Sequence, residues 1–280
     1  MGTALFPMVC PADQGHVSQT VIRDENGVQG VSRPMGIGAA IVRKLAQAGA
    51  TVLVHGYAPY DQALAYPDAA EGYASQLADA LVESGCRIHA LTPSDLSEQE
   101  TPEAVIHEAV AIAGFLDGLV LNHAYSTHAP LGTWTAAHID GHLHANVRAA
   151  MLMVQAFARQ LPTDVTAAIT LFTSGQYLGP MTDEIAYAVS KDAIIGLCRQ
   201  ASVALAPQCI RVNCVNPGPT DTGYMQPDSD IYQQIARRFP SGRWGTPEDV
   251  ARLVLFLHDD ASEWITGQII ASEGGFQRQV

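Results

Sequence analysis

Tyr187-Ala-Val-Ser-Lys191 sets a phenol and an ammonium group at a spacing that puts both on one face of a helix. Thirteen residues before the tyrosine, Ser174 adds a hydroxyl at the end of an apolar run, residues 165–173, that reads as a buried strand. An ammonium beside a phenol favours the phenolate and draws the tyrosine's pKa towards working pH. Such a tyrosine can give a proton to a ketone oxygen as hydride arrives, or take one from an alcohol. Ser174 would project from the C-terminal end of its strand, the edge at which open α/β sheets bind ligands. A YxxxK on a helix also arises by chance, so the reading leans on the serine spacing and on the surrounding segments.

Those side chains need a scaffold, and the chain alternates helix-like and strand-like segments in the manner of a parallel sheet with helices on both faces. Strands are expected at 51–54, 87–91, 119–122, 165–173, 210–215 and 268–271, and helices at 38–48, 68–84, 138–160, 187–206 and 247–258, with one more opening at 101. Gly49 is a natural stop for the first helix, and Thr101-Pro102 a natural start for the third. No repeat, charge block or low-complexity linker interrupts the pattern, which predicts one doubly wound Rossmann-type α/β domain over residues 30–280. Gly30-Val-Ser32-Arg33-Pro-Met-Gly36-Ile37-Gly38 supplies the glycine-rich turn that such a domain opens towards a pyrophosphate. The strand before it is harder to find. Residues 23–29 are too polar and turn-like for a central strand. Two upstream candidates, 3–9 (with a poorly suited Pro7) and 19–22, leave 1–29 as an atypical N-terminal segment.

A chain of 280 residues, 48% hydrophobic, can bury one substantial core. Its formal charge of −13, from 15 basic and 28 acidic residues, argues against nucleic acid or an anionic membrane as partner. The five cysteines show no CxxC spacing, so reduced thiols in a cytoplasmic protein are the simplest expectation. The first residues carry neither a basic n-region nor a long apolar stretch. His138, His142 and His144 lie close together, but without a completing carboxylate or cysteine no metal site is expected. Trp134, Trp244 and Trp264 are expected to pack.

With these residues in view, the chain resembles the short-chain dehydrogenase/reductase family from about Gly30 to Phe276, and in particular bacterial 3-oxoacyl-(acyl-carrier-protein) reductase-like members. Asn146 falls where the family keeps the asparagine of a catalytic tetrad with Ser174, Tyr187 and Lys191. The stretches 216–222, 243–251 and 265–275 are similar to its Pro-Gly segment and C-terminal signatures, and 223–240 to its mobile substrate lid. The resemblance implies an NAD(P)-dependent oxidoreductase acting on a carbonyl or alcohol. It assigns cofactor contacts to Gly30, Ser32, Arg33, Gly36, Ile37 and Gly38, and to Asp95 and Leu96 beside the adenine. Asn122 and Ala124 would line the adenosine ribose, Lys191 would hold the nicotinamide ribose hydroxyls, and Pro217, Thr220 and Thr222 would lie by the nicotinamide. Gln176 and Tyr177 would face substrate, and Asn146 would hold a water relaying protons towards Lys191. A homodimer or homotetramer is also implied.

Departures from the family pattern carry information too. The glycine turn has five residues between its first two glycines instead of the usual three, as in enoyl-acyl-carrier-protein reductases. Those enzymes need a tyrosine at position 184, which is Glu184, so that reading is rejected. Leu121-Asn122-His123-Ala124 replaces Asn-Asn-Ala-Gly, which makes His123 a substitution in the cofactor wall. No acid ends the second strand, where His55-Gly-Tyr57 stands and the next carboxylate is Asp61, while Arg33 could meet a 2′-phosphate; this favours NADP(H) over NAD(H). A small-molecule carbonyl or alcohol is the expected partner. The alternative is a non-catalytic binding or regulatory protein with an impaired cofactor site.

Overall fold

The computed structural model describes residues 26–30, 33–63, 68 and 71–276. In chain order it contains β1 (Asn26–Gly30), α1 (Ile37–Gln47), β2 (Thr51–His55), α2 (Pro59–Ala63), α3 (Tyr73–Glu83), β3 (Ile88–Ala90), α4 (Thr101–Ala113) and β4 (Gly118–Leu121). Then follow α5 (Ala136–His142), a π-helical turn Leu143–Arg148, α6 (Ala149–Gln160), β5 (Ala167–Phe172), α7 (Ile185–Ala204), β6 (Ile210–Asn216), α8 (Asp230–Ala236), α9 (Pro247–His258) and β7 (Ile269–Ala271).

The strands form one parallel sheet in the order β3-β2-β1-β4-β5-β6-β7. Apolar side chains alternate between its faces. Leu119 and Leu121 of β4 join the cluster of Met153, Phe157, Ile169 and Ile194 beneath α4, α6 and α7, whereas Val120 joins Ile41, Leu77 and Val254 beneath α1, α3 and α9. Burial on both faces explains why these strands read as continuous apolar runs.

The first strand departs from expectation. β1 forms from Asn26–Gly30, inside the stretch judged too polar, and runs across the boundary drawn at residue 29; the candidates at 3–9 and 19–22 lie outside the described residues. Val28 pairs with Leu53 on one side and with Leu119 on the other. A central strand gains backbone hydrogen bonds along both edges, and that two-sided ladder outweighs side-chain preference. The glycine turn therefore follows its strand directly, with no intervening insertion.

Two helices also differ. The helix expected from 68 begins only at Tyr73, after Gly72 at φ +73. The long helix expected over 138–160 is broken by the π-helical turn, which slips its hydrogen bonding by one residue. By contrast α9 spans the predicted residues, because Thr246 and Asp249 form a reciprocal capping box and Pro247 occupies the first turn. Thr246→Ala is expected to cost about 1 kcal/mol of unfolding stability. In thermal denaturation that is a midpoint drop of about 2–4 °C; an unchanged midpoint would show that the box contributes nothing.

Candidate functional site

The strand order reverses direction between β1 and β4, and a cleft of about 660 Å³ opens there at the C-terminal edge of the sheet. Arg33, Gly36, Ile37 and Gly38 form one wall, Asp95 and Leu96 another, and Asn122, His123 and Ala124 follow from the end of β4. Tyr187, Lys191, Pro217 and Thr222 close the far end. Of the sequence-predicted contacts, Ser32 lies outside the described residues and Gly30 ends β1.

At the glycine turn, the α1 N-cap Gly36 is extended (φ −73, ψ 155) with no side-chain cap, and no acid stands in the first turn. A helix N-terminus without an acidic side chain in its first turn suits an anion. A Cβ at Gly36 would lie 3.2 Å from the Arg33 carbonyl, so a side chain there would crowd the turn. Arg33 donates from Nε to Asp68 Oδ1 at 2.7 Å and from Nη2 to the Thr222 carbonyl at 2.7 Å, while the Met35 amide donates to Asp68 Oδ2 at 3.1 Å. A 2′-phosphate would thus share Arg33 with Asp68. His55 is buried and bonded to Ser94 Oγ at 3.1 Å, and burial pulls its pKa down to about 4. The chain beyond β2 brings Asp61, 8% exposed, into the cleft wall, although it lies well past the strand end in sequence. Asp95 accepts from the Ser97 amide at 2.8 Å, and the Tyr57 phenol, raised first by desolvation and then by this carboxylate, bonds to it.

At the other end, α7 sets Lys191 Nζ 5.6 Å from the centre of the Tyr187 ring. The ammonium is 3% exposed and donates to the Phe172 carbonyl at 3.0 Å, while Thr173 Oγ1 donates back to the Lys191 carbonyl at 2.9 Å. Burial lowers the lysine's pKa to about 8. Ser174 follows β5 in extended conformation, partly exposed, at the head of a single 3-10 turn. Gln176, expected to face substrate, instead bonds Thr173 Oγ1 at 3.0 Å and Asp192 Oδ1 at 2.9 Å and so braces that turn against α7.

Asn146 is 2% exposed in the π-helical turn. Its Oδ1 accepts from the Tyr125 amide at 2.7 Å; its Nδ2 donates to the Tyr125 carbonyl at 2.8 Å and to Ser190 Oγ at 2.9 Å. Ser190 Oγ in turn donates to the Tyr187 carbonyl at 2.7 Å. Sequence reasoning missed Tyr125 and Ser190, since a backbone partner in a loop and a helical serine carry no signal of their own. His123 donates from Nε2 to the Ala145 carbonyl at 3.0 Å, and burial, followed by the nearby Lys191 charge, lowers its pKa to about 4. The neighbouring histidines are occupied in a hydrogen-bonded cluster. His138 Nδ1 meets Thr127 Oγ1 at 3.2 Å, His142 Nδ1 donates to the His138 carbonyl at 2.8 Å, and His142 Nε2 accepts from the Thr127 amide at 3.2 Å.

The Pro-Gly segment is held by Asn216, which accepts from the Gly218 amide at 3.0 Å and donates to Glu273 Oε2 at 3.1 Å. Gly218 sits at φ +62 with space for no Cβ, since Glu273 Cβ would be 2.3 Å away. Thr222 lines the cleft, whereas Thr220 is buried with its hydroxyl turned onto the Pro217 and Gly218 carbonyls at 3.2 and 3.3 Å. The lid-like segment 223–240 carries α8 and packs a small core of its own. Tyr232 stacks on Trp244 at 4.8 Å and donates to Asp221 Oδ2 at 2.8 Å.

Two expectations about single residues are overturned. Trp264 does not pack but is 92% exposed, in the loop before β7. Cys209 is disulfide-bonded, whereas Cys86, Cys198 and Cys214 are the free thiols among the described residues. Among the described residues no helix is long and apolar enough to cross a membrane.

A family model described as Enoyl-(Acyl carrier protein) reductase matches residues 30–277. The Bacillus subtilis uncharacterized oxidoreductase YjdA is 37% identical over 254 residues, 90% of this chain and 96% of its own. The 3-oxoacyl-[acyl-carrier-protein] reductase FabG of Aggregatibacter actinomycetemcomitans is 30% identical, covering 92% of this chain and 99% of its own. A short-chain dehydrogenase from Burkholderia cenocepacia, solved in complex with NADP, is 28% identical with a TM-score of 0.79, covering 91% of this chain and 98% of that one. The chain belongs to the short-chain dehydrogenase/reductase family and is an oxidoreductase of the CH–OH/C=O class, whose members use nicotinamide cofactors. The glutamate at 184 stands just before α7 and accepts from Ser126 Oγ at 3.0 Å.

Because the folded-state pKa of Lys191 lies near 8 and that of an unfolded lysine near about 10.4, unfolding takes up a proton between those values. Stability therefore rises with pH across that window and is lowest, for this group, below it. Lys191→Met removes the titration. The urea midpoint of the variant minus that of wild type is expected to fall as pH rises from about 8 to 10. A difference that stays flat would show that the lysine is not the titrating group.

Proposed function

We propose that this chain is an NADP(H)-preferring carbonyl reductase or alcohol dehydrogenase acting on a small ketone, of which a 3-oxoacyl thioester is one candidate. The observation that carries the reading is that the Tyr187–Lys191 pair and the glycine turn at Gly36-Ile37-Gly38 open onto one cleft. The residues present fit a dinucleotide: a glycine turn leading into the N-terminus of α1 for phosphate, a cation at Arg33, and a buried ammonium at the far end.

When bound, the nicotinamide supplies or accepts the hydride. Tyr187 donates the proton to the carbonyl oxygen, or removes it from the alcohol. Lys191 holds the phenol acidic through its charge and reaches the ribose hydroxyls. Ser174 hydrogen-bonds the oxygen on which negative charge develops, and Asn146 holds Tyr125 against the turn that carries Tyr187. The preference for NADP(H) rests on Arg33 and on the NADP-bound relative, and Asp61 in the same wall is the group that would favour a 2′-hydroxyl. The nearly bare Trp264, together with exposed Leu143, Met151 and Val189 on the α5–α7 side, supports a homodimer or homotetramer. Cytoplasmic location is supported by three free thiols, with the Cys209 disulfide as the opposing feature.

Titration of the protein with NADPH and NADH at fixed salt is expected to give saturable binding, tighter for NADPH. Binding of neither by folded protein would reject the oxidoreductase reading in favour of a scaffold that has lost its cofactor. Tyr187→Phe is expected to leave folding and cofactor binding intact while lowering kcat by about 10²–10⁴-fold, the usual loss of a general acid. Retained turnover would remove Tyr187 from the mechanism.

A further inference from the structure

Where α5 passes through the π-helical turn into α6, the Ala149 amide bonds the His144 carbonyl, five residues back. Return to the i−4 pattern of α6 skips one carbonyl, which must find its hydrogen elsewhere. The Ala145 carbonyl finds it outside the helix, on Nε2 of His123 at 3.0 Å. Asn146, the next residue, is held by the backbone of Tyr125. Two residues of one loop, His123 and Tyr125, thus grip two successive residues of the turn, and the grip continues through Ser190 Oγ to the Tyr187 carbonyl.

We propose that His123 is a positioning residue: by binding the carbonyl that the π-helical turn releases at Ala145, its ring sets the orientation of Asn146 and, through Ser190, of the turn bearing Tyr187. The role in turnover rests on the oxidoreductase reading above; the tether itself does not. A donor reaching a carbonyl from the cleft wall needs both length and an N–H. Imidazole Nε2 supplies these, as does the longer amide of glutamine, whereas alanine supplies neither and asparagine is too short. Asn122 and Ala124 on either side of His123 also line the cleft, so the tether ties the cleft wall to the π-helical turn.

The test compares His123→Ala, His123→Asn and His123→Gln with wild type in two measurements. The first is amide hydrogen exchange over residues 122–150 of the cofactor-free protein. Exchange at Tyr125 and through 143–150 is expected to speed up at least tenfold in His123→Ala and His123→Asn, and to return towards wild type in His123→Gln. The second is steady-state kinetics, where kcat is expected to fall by about 10–100-fold for a small displacement of catalytic groups. Glutamine, which restores the N–H donor, should restore kcat. Unchanged exchange in His123→Ala would overturn the tether. Faster exchange with unchanged kcat would overturn the positioning role, and failure of glutamine to restore either would show that the hydrogen bond is not the cause. If wild type binds neither nicotinamide, the functional reading has failed, and the exchange data still decide the tether.

Discussion

Lys191 keeps an ammonium 3% exposed against the backbone carbonyl of Phe172, and the site is arranged around that charge. Taking a cation out of water costs several kcal/mol even after relaxation. Part of this is relieved by a pKa that falls towards 8. The rest requires α7 to be pinned where it is, which the bond from Thr173 Oγ1 to the Lys191 carbonyl does in the opposite sense. A last residue of β5 accepts from the helix while the next donates to it, so the strand end and the helix cannot slide apart without losing both. The tyrosine one turn earlier inherits this rigidity. The chemistry proposed for the phenol would need a neighbouring charge, and the sheet's C-terminal edge is where a parallel fold can hold one.

The same logic accounts for the break between α5 and α6. A regular helix would satisfy every carbonyl and leave none for the loop after β4. The π-helical turn releases one and directs Asn146 inward, 2% exposed, where its amide can take both backbone groups of Tyr125. His142, fully buried one turn earlier, does similar work for Thr127, whose amide it accepts. The loop from Asn122 to Thr127 is therefore held from beneath by the helix, which gives an irregular segment the precision of a regular one.

Much of this could be read from the residues. Apolar runs at 119–122, 165–173 and 210–215 are legible because parallel strands are buried on both faces, and the Tyr187–Lys191 spacing is legible because a helix repeats nearly every four residues. β1 was not legible: Asn26–Gly30 owes its conformation to Leu53 and Leu119 on its neighbours, which no local pattern reveals. The π-helical turn was hidden for a related reason, since its sequence continues the helical pattern and only the partners in the adjoining loop expose the slip. Trp264 misled because an aromatic usually packs, and the side chain says nothing about which surface covers it.

At the end of the cleft away from Lys191, discrimination between the proposed cofactors would be a matter of charge balance more than of any one residue. Arg33 is 10% exposed and already paired with Asp68, which is 13% exposed, so its charge is compensated before anything binds. A ligand with a 2′-phosphate would replace one anionic partner by another, releasing a carboxylate to water while the guanidinium stays paired. A ligand with a 2′-hydroxyl would leave the pair intact and could donate to a carboxylate in the same wall, where Asp61 stands. In neither case is a buried cation stranded, which is the arrangement that would cost most. The difference in affinity is then the strength of phosphate relative to carboxylate at a bidentate guanidinium, less the repulsion between that phosphate and Asp61. Both contributions are electrostatic and act between largely buried groups, so salt screens them less than it would a surface pair.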